Sequence, residues 1–132
     1  MESAETRLDS ILADIEGVLQ VRMFDDELEA ADDLHRKGHH RAAGALTGVT
    51  LERHLKKVAD NHQVKIAKRD PTIADLNEAL KAAGVLDIPT WRFIQRLGDI
   101  RNLCSHHKGH DPSKDDVTDL IAGTRKIVKT LF

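Results

Sequence analysis

Aromatic residues are nearly missing from this 132-residue chain, which has one Trp, three Phe and no Tyr. Sandwiches and barrels lean on aromatic and β-branched strands, so this scarcity argues against them. The single cysteine, Cys104, excludes a disulfide framework and any multi-Cys zinc finger. The only prolines, Pro71, Pro89 and Pro112, lie between apolar-periodic segments, where helix boundaries fall. No apolar run approaches the ~18 residues of a membrane span. The opening Met1-Glu2-Ser3-Ala4-Glu5 lacks the apolar core of a signal peptide, and a cytoplasmic location is expected. No repeat, low-complexity tract or Gly/Ser/Pro-rich linker divides the chain, and its length suits one domain, 1–132.

The chain is 40% hydrophobic and 32% charged, as expected of a helical protein with its own core. Its net charge of −2 conceals an asymmetry. Residues 1–33 carry eleven acids and two bases, a net of −9, whereas residues 34–132 carry eleven acids and eighteen bases, a net of +7, together with all eight His. Either the two regions face each other or solvent, or the basic part serves an anionic partner.

Apolar spacing predicts about five helices in an all-α antiparallel bundle. In the first segment, Ser3 to Lys37, Leu8, Ile11, Leu12, Ile15, Val18 and Leu19 share one face. Leu28, Ala31 and Leu34 are expected to continue that face past the polar Asp25-Asp26-Glu27, where a kink is conceivable, and Gly38 to end the helix. The second, His39 to His62, has a stripe of Gly44, Gly48, Leu51, Leu55 and Val58, with Ala42, Leu46 and Val49 opposite. A helix apolar nearly all round is expected at the bundle's centre, and its two glycines imply close approach of another helix. Residues 61–70 are read as a loop, with an extended piece allowed. Capping boxes are expected at Thr72/Asp75 and Ser113/Asp116, opening a short third helix and the last one.

One residue does not fit its face. On the fourth helix, beginning near Pro89, Phe93, Ile94, Leu97, Ile100 and Cys104 share a side, and Arg101 falls inside their stripe. A buried Arg must be paired, snorkel to water, or line a cleft entered by an anion. Glu52, at the edge of the second helix's stripe, is the expected partner. Arg101 opens the run Arg101-Asn102-Leu103-Cys104-Ser105-His106-His107-Lys108-Gly109-His110. Arg stabilises charge developing on a phosphate and His moves protons near neutral pH. Residues five apart diverge on a continuous helix, so Arg101 and His106 converge only if the helix ends before His106 or if they come from different subunits.

Arg101-Asn102-x-x-x-His106, near the end of one helix and followed by a last amphipathic helix, resembles the Arg-polar-x(3–5)-His motif of HEPN domains, small all-α modules. The segment from Gly38 through Leu55 resembles the second helix of that family. The resemblance implies a metal-independent endoribonuclease of toxin or defence type that works as a homodimer, two motifs sharing one cleft. It places Arg101 on the scissile phosphate and makes His106 the general acid or base, with Asn102 orienting His106 or binding phosphate. The RNA's own 2′-hydroxyl then attacks, leaving 2′,3′-cyclic phosphate and 5′-hydroxyl ends. Glu52 would tether Arg101. His107 and His110 are alternatives to His106. A cognate antitoxin or regulatory protein is a further implied partner, but some members carry a modifiable Tyr where this chain has Lys108, so control by that route is not expected.

The same residues invite other chemistry. Metal ligation would group Cys104, His106, His107 and His110, or His35, His39 and His40, but neither set has an established metal-site spacing. No cofactor and no membrane contact is expected. Cys104 lies on an inward face and is expected to be a small buried hydrophobe. Trp91 is expected to pack or to sit at an interface, because no set of aromatics accompanies it for base stacking. The competing function is a non-catalytic dimeric module of the same fold that binds a protein or a nucleotide, with Arg101 and Glu52 as a structural pair.

Overall fold

Local sequence decides where the last three helices start. In the computed structural model, which describes residues 4–105 and 111–132, Thr72 and Ser113 accept hydrogen bonds from the backbone N–H of Asp75 and Asp116, whose carboxylates accept from the Thr72 and Ser113 N–H in return. Both capping boxes are thus formed. They open α3 (Ile73–Ala82) and α5 (Lys114–Thr130). Asp87 opens α4 (Ile88–Ser105) by accepting from the Thr90 N–H at 2.8 Å; hydrogen bonding from the Thr90 side chain first, and from its backbone N–H second, holds the carboxyl below the usual aspartate range. The other elements are α1 (Ala4–Arg36) and α2 (His40–Asn61), joined by a tight turn in which Gly38 takes a φ of +89°.

α2 is the centre of the bundle, packing against α1, α3, α4 and α5. Its buried residues include Gly44, Gly48, Leu51, Leu55 and Val58, the anticipated stripe. The opposite strip differs from expectation: Ala42 and Val49 are exposed and Leu46 is half-buried. The main core joins Leu51 and Leu55 to Leu76, Leu80, Ile94, Leu97 and Leu120, and a smaller cluster of Ala31, Ala43, Cys104, Val117 and Ile121 fills the end near the α1–α2 turn. Between α2 and α3 there is no strand among the described residues; Val64 and Ile66 pin that loop to the core. No helix among the described residues is long and apolar enough to cross a membrane.

α1 departs most from the sequence expectation. It is unbroken through Asp25-Asp26-Glu27, and its buried residues are Phe24, Leu28, Ala31 and His35. The stripe from Leu8 to Leu19 is exposed. At about 100° per residue, the two apolar sets lie on nearly opposite sides of the helix. They are two faces with different tasks, and only the second covers the core. The charge asymmetry also resolves in part at the second half of α1. Arg125 of α5 lies 3.0 Å from Asp32 and 3.5 Å from Glu29, and Arg53 of α2 pairs with Glu27. Among the described residues α1 does not contact α3 or α4, so its acids do not pack against the helix that carries Arg101.

Candidate functional site

Arg101 reaches the α2 surface because α2 is bare there. A Cβ at Gly48 would lie 2.2 Å from the Arg101 Cγ and 3.0 Å from its Nε, and a Cβ at Gly44 would lie 2.2 Å from the Cys104 Sγ. The two glycines therefore let α4 close onto α2, with the Arg101 stem crossing one of them. This contact offsets the roughly 1 kcal/mol that each glycine costs in helix propensity.

The head group is only loosely paired. Arg101 Nη2 lies 3.7 Å from Glu52 Oε2, an ion pair beyond hydrogen-bond length. Glu52 is shared with Lys56, whose Nζ is 3.6 Å from Oε1. Arg101 Nε is buried with no hydrogen-bond partner. A guanidinium in this setting keeps donors for an incoming anion. Arg101 and Asn102 border a cleft of about 400 Å³ between the start of α3 and α4, with Asp99 and Asn77 on its walls. Asn77, 2% exposed, donates to the Trp91 carbonyl at 2.9 Å and leaves its Oδ1 without a partner. Asn102 itself is exposed.

The described part of α4 ends at Ser105, one residue before His106. His106 and His107, expected at the site, and His110 with them, lie outside the described residues, so the structure does not place them relative to Arg101. The chain on either side is held by a residue that sequence reasoning missed. Arg41, in the first turn of α2, donates to the carbonyls of Leu103 at 3.0 Å and Cys104 at 3.1 Å, and also pairs with Asp111. It caps the last carbonyls of α4 and ties the chain on both sides of the His-bearing segment. Nothing in the sequence signals this, because these partners stand 62, 63 and 70 positions away. Arg41 also borders a cleft of about 800 Å³ with His39, His40, Ser105 and Pro112.

Two histidines of that end have determinable tautomers. Thr118 Oγ1 donates its only hydrogen to the Lys114 carbonyl, so His35 Nε2, at 2.8 Å, donates to Thr118. Neutral His35 then accepts at Nδ1 from His40 Nδ1–H, 2.7 Å away. Burial first, and the neighbouring His40 second, push the His35 pKa below the ordinary histidine value. His39 takes no part in this pair, and among the described residues no group of three His, Cys, Asp or Glu side chains is arranged to hold a metal ion. Cys104 is buried, and burial raises its thiol pKa, which disfavours the nucleophilic thiolate. Trp91 packs on the core, donates to Glu78 at 2.9 Å and carries the Lys81 ammonium 3.7 Å above its ring.

Compared with protein-family models, curated proteins and solved structures, the chain matches none of them.

Proposed function

We propose that this protein is a metal-independent endoribonuclease in which Arg101 binds the scissile phosphate and His106 transfers protons. The observation that carries the proposal is Arg101 itself: a part-buried guanidinium with an unpartnered Nε, one long ion pair to a shared acid, and a cleft at its side. A purely structural buried Arg is ordinarily saturated by hydrogen bonds, because an undersatisfied charge is costly away from water. Arg101 is not, and the next turn of sequence carries the polar Asn102 and the run of His.

In the proposed reaction the RNA 2′-hydroxyl loses its proton to a base and attacks the adjacent phosphorus. The bond to the 5′-oxygen breaks, and that oxygen takes a proton from an acid. The products are a 2′,3′-cyclic phosphate and a 5′-hydroxyl. His106 is assigned one of the two proton transfers, and Arg101 neutralises charge on the phosphoryl oxygens. Asn102 orients His106 or holds a second phosphate oxygen. Glu52 is a positioning residue, since it touches Arg101 and not the substrate. His107 and His110 are the alternative proton carriers. A homodimer sharing one cleft supplies the second proton-transfer group, and a role in defence or as a toxin restrained by a partner protein belongs to the same proposal.

The test is cleavage of single-stranded RNA in EDTA by wild type, Arg101→Ala, His106→Ala and His107→Ala. The proposal expects cleavage by wild type and loss of at least about a hundredfold for Arg101→Ala and His106→Ala, in line with removal of one transition-state donor or one acid–base group. Activity that survives both substitutions, or none in the wild type, overturns it.

A further inference from the structure

The first half of α1 carries the largest unpartnered apolar feature of the described chain. Leu8, Ile11, Leu12, Ile15, Val18 and Leu19 are 48–60% exposed, and Met23 at the end of the stripe is 51% exposed. The side chains of this helix that enter the bundle, Phe24, Leu28, Ala31 and His35, are farther along and on nearly the opposite side. The stripe therefore does not serve the core of its own protomer. Its apolar surface is roughly 500–600 Å², at the upper end for the largest patch on a monomeric protein. Two such stripes face to face bury about 1,000–1,200 Å², enough for a specific interface.

We infer that the stripe is the interface with a second copy of this chain, paired antiparallel. The sequence selects that orientation. Leu8, Leu12, Ile15 and Leu19 alternate at four and three residues, the spacing of a coiled-coil seam, and the seam continues to Glu5 at one end and Arg22 at the other. In the antiparallel register that sets Leu8 against Leu19 of the second copy and Leu12 against its Ile15, Glu5 meets Arg22 of the second copy at both ends. A parallel, in-register pair would stack Arg22 on Arg22 and Glu5 on Glu5, like charge on like. Glu5 and Arg22 are too far apart along one helix to meet within a protomer, about 25 Å at 1.5 Å per residue, so the complementarity has meaning only between copies.

The interface lies away from the candidate site. The α1 segment from Ala13 to Phe24 borders a cleft with His54, Lys57 and Asn61, in the second half of α2, whereas Arg101 crosses α2 at Gly48, and among the described residues α1 does not contact α4. Pairing through α1 thus leaves both Arg101 clefts open. It is independent of the ribonuclease proposal and of any dimer formed around the motif.

Sedimentation velocity on the full chain tests the inference. Wild type is expected to be an even-numbered assembly whose mass Ile15→Glu halves without changing its helical circular dichroism, since Ile15 is exposed in the folded protomer. Glu5→Arg and Arg22→Glu are each expected to weaken self-association about tenfold, and the double reversal to restore it, because a like-charge contact in one copy pair is replaced by the opposite pairing. A monomeric wild type, a mass unaffected by Ile15→Glu, or a double reversal no better than the single ones overturns it.

Discussion

The Arg101 side chain lies across the backbone of Gly48, so close that a Cβ at that position would be 2.2 Å from Cγ. Glycine at 48 is thereby coupled to the position of the guanidinium. Gly48→Ala is expected to displace Arg101 and to cost about 1–3 kcal/mol for overpacking, less the roughly 1 kcal/mol that Ala returns in helix propensity. Gly44→Ala meets Cys104 Sγ in the same way, whereas Gly17→Ala has nothing within 4 Å and is expected to gain stability. Urea unfolding followed by circular dichroism checks the order: Gly17→Ala above wild type, the other two at or below it. Equal gains at all three positions would contradict the close α2–α4 packing.

Glu52 and Arg101 divide their effects differently. Their side chains are 23% and 24% exposed and 3.7 Å apart, so the pair contributes about 0.5–1 kcal/mol to stability. Glu52→Gln is expected to leave Arg101 and Lys56 without their shared acid, tightening RNA binding while slowing cleavage, because the guanidinium loses its anchor. Steady-state kinetics would show KM and kcat both falling. A rise in KM would contradict the positioning role.

Stability is expected to fall as the medium becomes acidic, in the range of histidine titration. His54 is 5% exposed, stacks edge-on against Phe24 and donates Nε2–H to the Leu131 carbonyl at 2.8 Å; burial lowers its pKa below the ordinary histidine value, although that hydrogen bond and the acceptor carbonyl of Ile127 raise it. His35 is lowered as well, first by burial. With folded values below the unfolded one, the unfolded chain binds more protons below pH ~6.5 and draws the equilibrium toward itself. The stability is fully present above about pH 6.5 and declines below it, by at most about 1.4 kcal/mol per pH unit for each histidine. His54→Gln is expected to flatten the decline between pH 6.5 and 5. An unchanged slope would contradict the assignment.

Much of the fold was legible in the sequence because the signals were local. Capping boxes at Thr72 and Ser113, the Gly38 turn and the stripe of α2 each need only a few neighbouring residues to be recognised. The centrality of α2 followed from its apolar character, and the pairing of Glu52 with Arg101 from where each sits on its helix. The expectation that Leu28, Ala31 and Leu34 continue the face of Leu8 to Leu19 fails, because three- and four-residue spacing identifies an apolar side but not what covers it. The 100° accumulation from Leu19 to Phe24 turns the chain's second stripe away from the first. Arg41 was missed because its partners, Leu103, Cys104 and Asp111, are distant in sequence and two of them offer only backbone carbonyls.

RNA binding is expected to run through phosphate and shape, given one Trp that is engaged with Glu78 and Lys81. The dissociation constant should then rise steeply between 50 and 200 mM salt, by about tenfold or more if several phosphates are contacted. A titration by fluorescence anisotropy at several salt concentrations measures it, and an affinity insensitive to salt would contradict the phosphate-centred account.

The central claim is cleavage by the RNA's own 2′-hydroxyl at Arg101. Its most direct test is end-group analysis of a single-stranded RNA digested in EDTA, beside the same sequence 2′-O-methylated throughout. The first is expected to give 2′,3′-cyclic phosphate and 5′-hydroxyl ends, the second no cleavage, and Arg101→Ala neither product. Cleavage of the methylated strand, 5′-phosphate ends, or an intact RNA under all conditions would contradict it.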